Sequence, residues 1–164
     1  MEVLVKDNEP AYIRVGRNAV DPVYSEDNTP FEMDKATWVC KGDDVAIVAC
    51  GEMVLYAKRA AELLKAKGIS ATVLDMYCVK PLDKDAVIEA AKNAKAVITV
   101  EEHSPIGGLG SMVAQVVSES CPRKCITMAL PDAPVITGNS KEVFEYYHLT
   151  AEGIAAKAEE ALHG

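Results

Sequence analysis

From residue 36 onward, short apolar runs alternate with longer stretches in which apolar residues recur every three or four positions. Thr37-Trp38-Val39-Cys40, Val45-Ala46-Ile47-Val48-Ala49-Cys50, Ser70 to Met76, Ala96-Val97-Ile98-Thr99-Val100 and Cys125 to Leu130 read as strands. Met53, Ala57, Ala60, Ala61 and Leu64 form one helical stripe, with Gly68 placed to end it in a left-handed turn. Val87, Ile88 and Ala91 form a second after Lys80-Pro81-Leu82-Asp83, where Asp83 is the expected N-cap. Leu109, Met112, Val113 and Val116 form a third, and two short helices close the chain, marked by Val143, Phe144 and Tyr147 and by Ile154, Ala158, Ala161 and Leu162 after the N-cap Thr150. Helical crossovers of this length join parallel strands, so a mostly parallel sheet covered on both faces is predicted. The exception is Lys41-Gly42-Asp43-Asp44, short enough for a hairpin, which would set the first strand antiparallel to the second and directly beside it.

The first 35 residues stand outside this pattern. Pro10 to Arg17 reads as a strand ending in a turn, with too little apolar sequence before it to make a core. Asn18 to Asp34, with Pro22, Pro30 and several acids, reads as an extended linker. The expected organisation is residues 1–17 as the tail of another domain, 18–35 as linker, and 36–164 as one domain. A chain of 164 residues, 49% hydrophobic, suits one core.

A formal charge of -8 repels a nucleic-acid backbone and an anionic membrane surface, and the lysines form no basic stripe. The apolar stretch from Val45 to Ala57 is too short to span a bilayer, and Met1-Glu2-Val3 does not begin a signal peptide. No nucleic acid or membrane partner is expected, and a cytoplasmic protein is. Five cysteines, three of them in or beside strand patterns, fit reduced thiols. Cys121 and Cys125 are the only close pair; a zinc site would need two further ligands, whereas a turn into the last strand needs none. No metal site is expected.

Chemistry is concentrated between Glu101 and Ser111. The carboxyl ends of parallel strands are where open sheets meet ligands and partners, so Glu101, Glu102, His103, Gly107, Gly108 and Gly110 mark a candidate ligand or interface edge. Gly107-Gly108-Leu109-Gly110 at a helix start offers amides that could cradle an anion, or glycines that let strand, loop and helix pack closely. A dinucleotide fingerprint would want glycine or alanine where Val113 stands. His103 beside Glu101 and Glu102 could exchange protons near neutral pH, or be an ordinary loop residue. Arg17, after the turn at Gly16, could grip a phosphate or carboxylate, or face solvent. No residue is singled out as catalytic.

Tyr12-Ile13-Arg14-Val15-Gly16-Arg17, Gly42 to Gly51, Leu74-Asp75-Met76 with Lys80-Pro81-Leu82-Asp83, Thr99-Val100-Glu101-Glu102-His103 with Gly107-Gly108-Leu109-Gly110, and Tyr147-His148-Leu149-Thr150 follow one another as in the C-terminal region of transketolase. The chain resembles that region over nearly its whole length. The C-terminal subunit of split transketolases is nearest, with 1-deoxyxylulose-5-phosphate synthase and the β subunits of 2-oxo acid dehydrogenases more distant. The resemblance implies a three-layer α/β/α fold with a five-stranded mixed sheet, first strand antiparallel. It makes residues 1–17 the end of a pyrimidine-binding domain.

It also implies that thiamine diphosphate and magnesium belong to the complete enzyme, held by domains this chain lacks, since no Gly-Asp-Gly motif is present. The implied partners are N-terminal coenzyme-binding domains or a subunit carrying them, within a homodimer of the complete enzyme. Arg17 matches the arginine ending the family's Arg-x-x-Arg-like strand, implying a role at the sugar phosphate. The sequence departs from the family at Cys50, often threonine, and at Asp132-Ala133-Pro134-Val135, where an aspartate-phenylalanine-glycine-like run is common. The function expected is packing and active-site support within a transketolase, inactive alone. A free-standing module for an anionic small molecule and a part of deoxyxylulose phosphate synthase are the alternatives.

Overall fold

A computed structural model describes residues 2–16 and 19–163. A short helix α1 (Glu2–Lys6) comes first, and the strands are β1 (Thr37–Cys40), β2 (Val45–Ala49), β3 (Ala71–Asp75), β4 (Ala96–Val100) and β5 (Lys124–Met128). The helices are α2 (Met53–Ala66), α3 (Lys84–Asn93), α4 (Leu109–Ser120), α5 (Ser140–Tyr146) and α6 (Ala151–His163). The sheet order is β1-β3-β2-β4-β5, with β1 antiparallel to β3 and the other neighbours parallel. This is the five-stranded mixed sheet expected.

Burial explains the order. β2, β3 and β4 are buried at all five positions, as strands covered on both faces must be, whereas β1 is half-buried throughout and suits an edge. The alternate residues Val45, Ile47, Ala49, Val73, Ile98 and Val100 face a core shared with α2, α5 and α6. Ala46, Val48, Leu74 and Val97 face the opposite core, shared with α3 and α4. Period-two alternation thus feeds two helical layers, with the sheet between them.

The hairpin is a correction. β1 is antiparallel to β2 but does not pair with it, because β3 lies between them. The four residues Lys41 to Asp44 cross over the start of β3 instead. Gly42 N–H donates to Thr72 Oγ1 at 2.9 Å, the Thr72 hydroxyl donates to Gly42 O at 2.7 Å, and Asp44 N–H donates to Ser70 O at 2.9 Å. Strands two apart are only about 9.6 Å from one another, which four residues at about 3.3 Å each span easily. A side chain at Gly42 would strike Ser70 and the backbone of Ala71, so this crossing needs glycine.

The predicted helix signals hold. Gly68 has φ +77°, and the pair Gly68 N–H to Lys65 O and Ile69 N–H to Leu64 O closes α2 in a Schellman motif. Asp83 Oδ1 accepts from Ala86 N–H at 3.1 Å, and Thr150 Oγ1 from Gly153 N–H at 3.1 Å. Asn139 adds a capping box with Glu142 that the sequence reading did not name.

The strand expected over Pro10 to Arg17 is also corrected: residues 7–16 have no regular structure, and Tyr12, Ile13 and Val15 are exposed. No described strand pairs with this segment, and an extended run without a ladder partner gains nothing from β geometry. The residues after it are less free than a linker suggests. Arg59 pairs with Asp21 at 2.7 Å, Lys58 Nζ donates to Val23 O at 3.1 Å, Phe31 stacks on Tyr77 at 4.9 Å, and Ala36 N–H donates to Asp83 Oδ2 at 3.0 Å. Residues 19–36 form a strap along the domain.

The deepest anchor of the strap is Tyr24, whose hydroxyl donates to Asp75 Oδ2 at 2.8 Å. Burial holds the Asp75 carboxyl above its ordinary range, and the Tyr24 hydrogen bond opposes that shift. A carboxyl raised in the folded state favours folding while protonated; that contribution is complete below pH ~4 and is lost as pH rises through the raised value. Tyr24→Phe removes the bond that stabilises the charged form. It should cost about 1.5 kcal/mol or more at pH 7 and clearly less at pH 4, read by urea unfolding at both. Equal losses at the two pH values would show that the bond does not serve the carboxylate.

Candidate functional site

The parallel strands all end at one edge, where Cys50 follows β2, Asp75 closes β3, and Glu101 and Glu102 follow β4. The chain leaves β2 towards α2 on one face and β4 towards α4 on the other, so the loops part between adjacent strands. That parting is the topological switch of the sheet, the crevice where open α/β folds meet ligands.

Glu101 does not face a ligand there. Its side chain is buried, and its carboxylate accepts from Leu109 N–H (Oε2, 2.8 Å) and from Gly110 N–H (Oε1, 2.8 Å). The amides at the start of α4 are thus occupied by an anion from within the chain, which also meets the positive end of the helix dipole. Gly108 and Gly110 make this approach possible. A Cβ on Gly108 would collide with the Glu101 carboxylate and Ser104 O, and one on Gly110 would lie 2.5 Å from Thr127 Cγ2 and 2.9 Å from Thr99 Oγ1. The close-packing role of these glycines is the one the geometry supports, and the phosphate-cradle alternative meets a filled site. A diphosphate does not fit here.

The rest of the loop is fastened internally. Ser111 Oγ donates to Pro105 O at 2.6 Å and accepts from Gly107 N–H at 3.1 Å, while Gly107 holds φ +73°. His103 is exposed, its Nδ1 3.1 Å from Ser104 O, and its carbonyl accepts from Leu130 N–H at 3.0 Å. Those contacts bring no nucleophile to its ring.

Glu102 turns into the crevice and meets Arg14 from the N-terminal segment, Nη1 to Oε1 at 3.0 Å. Glu52, at the start of α2, lies on the other side: a Cβ on Gly16 would sit 3.0 Å from Glu52 Oε1. Burial and the Glu102 charge raise the Glu52 carboxyl, and Arg14 opposes them. The Cys50 thiol is pushed up to about 12 by burial, then by Glu101 and Glu102, again with Arg14 opposing. It is held as an un-ionised thiol at neutral pH. Sequence reasoning picked Glu102 but missed Arg14, Glu52 and Cys50 as its neighbours. Arg14 stands in the Arg-x-x-Arg run, but nothing local marks a partner 88 positions away. Arg17 lies outside the described residues.

Away from this edge, a cavity of about 240 Å³ is lined by Tyr56, Arg59, Lys141 and Phe144 among others. Its cations have carboxylates of their own, Arg59 with Asp21 at 2.7 Å and Lys141 with Glu145 at 3.9 Å. Among the described residues, no three His, Cys, Asp or Glu side chains gather as a metal would require, and no helix is long and apolar enough to cross a membrane. The cysteines described are free thiols.

Comparison with known proteins places this architecture. The family model for the transketolase C-terminal domain matches residues 34–154. One of the subunits of the apulose-4-phosphate transketolase of Phocaeicola vulgatus is 44% identical over 158 residues, covering 96% of this chain and 50% of that protein. A 1-deoxy-D-xylulose-5-phosphate synthase of Pseudoalteromonas atlantica is 36% identical over 156 residues, covering 93% of this chain and 24% of that one. Among solved structures, a split-gene transketolase described as an inactive β4 tetramer superposes with a TM-score of 0.89 at 41% identity, over 98% of this chain and 52% of that one. The chain therefore spans about half the length of the split-transketolase proteins it matches. It belongs to the transketolase family and carries the C-terminal domain of that family.

Proposed function

We propose that this chain is the C-terminal part of a thiamine-diphosphate-dependent transketolase that moves a two-carbon ketol unit between sugar phosphates in the cytoplasm. Coenzyme and magnesium are held by partner domains, the complete enzyme is a dimer, and residues 1–17 belong to the end of a pyrimidine-binding domain. The supporting observation is the match of nearly the whole chain to half of a split-gene transketolase. The chain's own carboxyl edge agrees with a supporting role, because Glu101 fills the α4 amides that a diphosphate would need. Thiamine diphosphate, when bound, supplies the carbanion chemistry. This chain contributes the packed wall of the site and, through Arg17, charge for the substrate phosphate.

Identity is higher to the apulose-4-phosphate transketolase than to the deoxyxylulose phosphate synthase, 44% against 36%, which favours transfer to an aldose phosphate acceptor. The split-gene relative described as an inactive β4 tetramer suits the same division of labour. Two-carbon transfer should be absent with the chain alone and appear when a complement supplies the coenzyme-binding domains. Arg17→Ala in that complex should raise KM for the phosphorylated substrate at least about tenfold, the scale of losing a charge-assisted pair. Turnover by the isolated chain would overturn the reading.

A further inference from the structure

We infer that the β4–α4 loop is a docking knob: Ile106 at its tip inserts into the partner domain that takes up the N-terminal segment. The inference rests on the transketolase reading above, which supplies that partner. Every residue from His103 to Gly107 is tied to its own chain. Leu130 N–H donates to His103 O at 3.0 Å, Ile106 N–H to Ser104 Oγ at 3.2 Å, Ser111 Oγ to Pro105 O at 2.6 Å, and Gly107 N–H to Ser111 Oγ at 3.1 Å. Ile106 is nevertheless 70% exposed. A mobile loop would fold such a side chain inward, whereas this one is fastened with the isoleucine in water.

The tip is also open. No atom lies within 4 Å of where a Cβ on Gly107 would stand, so nothing in the described chain crowds the residue after Ile106. Val135, a second exposed apolar residue, belongs to the β5–α5 connection, which the Ser104 Oγ to Asp132 Oδ1 bond at 3.4 Å joins to the same loop. A preformed loop loses little conformational freedom on binding, so its buried apolar area goes further toward affinity than that of a flexible one.

The N-terminal segment says what covers the knob. Tyr12 and Val15 are exposed, and no described strand pairs with residues 7–16, so their apolar side chains are left for a partner to bury. Arg14, between them, is held by Glu102 at 3.0 Å, on the residue just before the loop. Four residues span at most about 14 Å, so a domain packed around Tyr12 and Val15 reaches Ile106 as well. Charge favours the same occupant. Glu52, at the same edge, makes no ion pair among the described residues, and a second copy of this chain, at formal charge -8, would bring the same carboxylates against it. An apolar pocket with a basic residue towards Glu52 is complementary to this edge.

Binding measured apart from activity tests this. In the chain alone, Ile106→Ala and Ile106→Asp should unfold at the wild-type urea midpoint, because an exposed side chain has little burial to lose. Calorimetric titration with a complement that supplies the coenzyme-binding domains should show affinity about tenfold weaker in Ile106→Ala and about a hundredfold or more weaker in Ile106→Asp. Leu63→Asp, at the end of α2 away from this edge, should stay within about twofold of wild type. A photoreactive benzoylphenylalanine in place of Ile106 should cross-link to the complement. Ile106→Asp binding no worse than Leu63→Asp, or a cross-link only to a second copy of the chain, would overturn the inference. A wild-type complex that forms, is weakened by Ile106→Asp and has no transketolase activity would keep the docking surface and overturn the functional reading. A complement that does not bind the wild-type chain would overturn both.

Discussion

Replacing Glu101 by alanine is expected to cost about 3–5 kcal/mol of folding stability, because two backbone amides lose a buried, charged acceptor at once. Each hydrogen bond to an ionised group contributes about 1.5–3 kcal/mol, and an orphaned buried donor loses the water it would otherwise have. Leu109 and Gly110 are both buried, so solvent cannot replace the carboxylate without opening the α4 terminus. At about 2–4 °C per kcal/mol for a chain of this size, the midpoint of thermal unfolding should fall by about 10 °C. Glu101→Gln should fall between wild type and alanine, since one amide keeps a carbonyl acceptor while the other faces an NH₂ group. Calorimetry of the three proteins checks this; an alanine variant within about 1 kcal/mol of wild type would mean that the α4 amides find other partners.

The second large effect is expected at Gly110, where α4 comes closest to the sheet. A methyl group there would lie 2.5 Å from Thr127 Cγ2, 2.6 Å from Thr127 Oγ1 and 2.9 Å from Thr99 Oγ1. Thr99 is fully buried in β4 and cannot retreat, whereas Thr127 is on the edge strand β5 and is exposed. Gly110→Ala should therefore cost about 1–3 kcal/mol by overpacking, and Gly110→Val more. Because the Thr127 contacts are the shorter ones, Thr127→Ala should recover part of the alanine variant's loss, an interaction a double-mutant cycle in urea would measure. Strict additivity would place the strain at Thr99 alone. The two predictions are linked: moving α4 outward also stretches the Glu101 hydrogen bonds, so Gly110→Val and Glu101→Ala should be less than additive.

How much of this was legible beforehand differs from element to element. Val45 to Ala49 could be assigned to a strand because the run is continuously apolar, and the structure buries all five positions. Gly68, Asp83 and Thr150 were readable as caps, since their partners lie within five residues. The Lys41 to Asp44 connection was misleading for the same reason that it is short. Four residues can close a hairpin or step over one intervening strand, and only the competition between β1 and β3 for a place beside β2 decides. β3, buried on both faces, takes the interior place between β1 and β2.

The candidate edge was found for a sound reason and given a second role that the geometry does not support. Glycines and carboxylates clustered after β4 do mark the working end of the sheet. Composition, however, cannot tell whether the α4 amides await an anion or already hold Glu101, because that depends on whether a side chain eight residues upstream can turn back onto them. Tyr24 and Asp75, 51 positions apart, carried no local signal at all. Nor did Arg14 and Glu102, 88 apart.

The sequence by itself therefore determined the family, the two-sided sheet, the helix ends and the location of the carboxyl edge. The family follows from the resemblance of its ordered motifs, and the rest from periodicity and from contacts within a turn or two, where neighbouring residues already define the physics. The tertiary structure alone decided which strand takes the place beside β2, that Glu101 fills the helix terminus, that the strap is locked at Asp75, and that Arg14 lies in the crevice with Glu102. Each of these depends on bringing distant charges or edges together, and only packing of the complete chain makes one such pairing lower in free energy than its competitors.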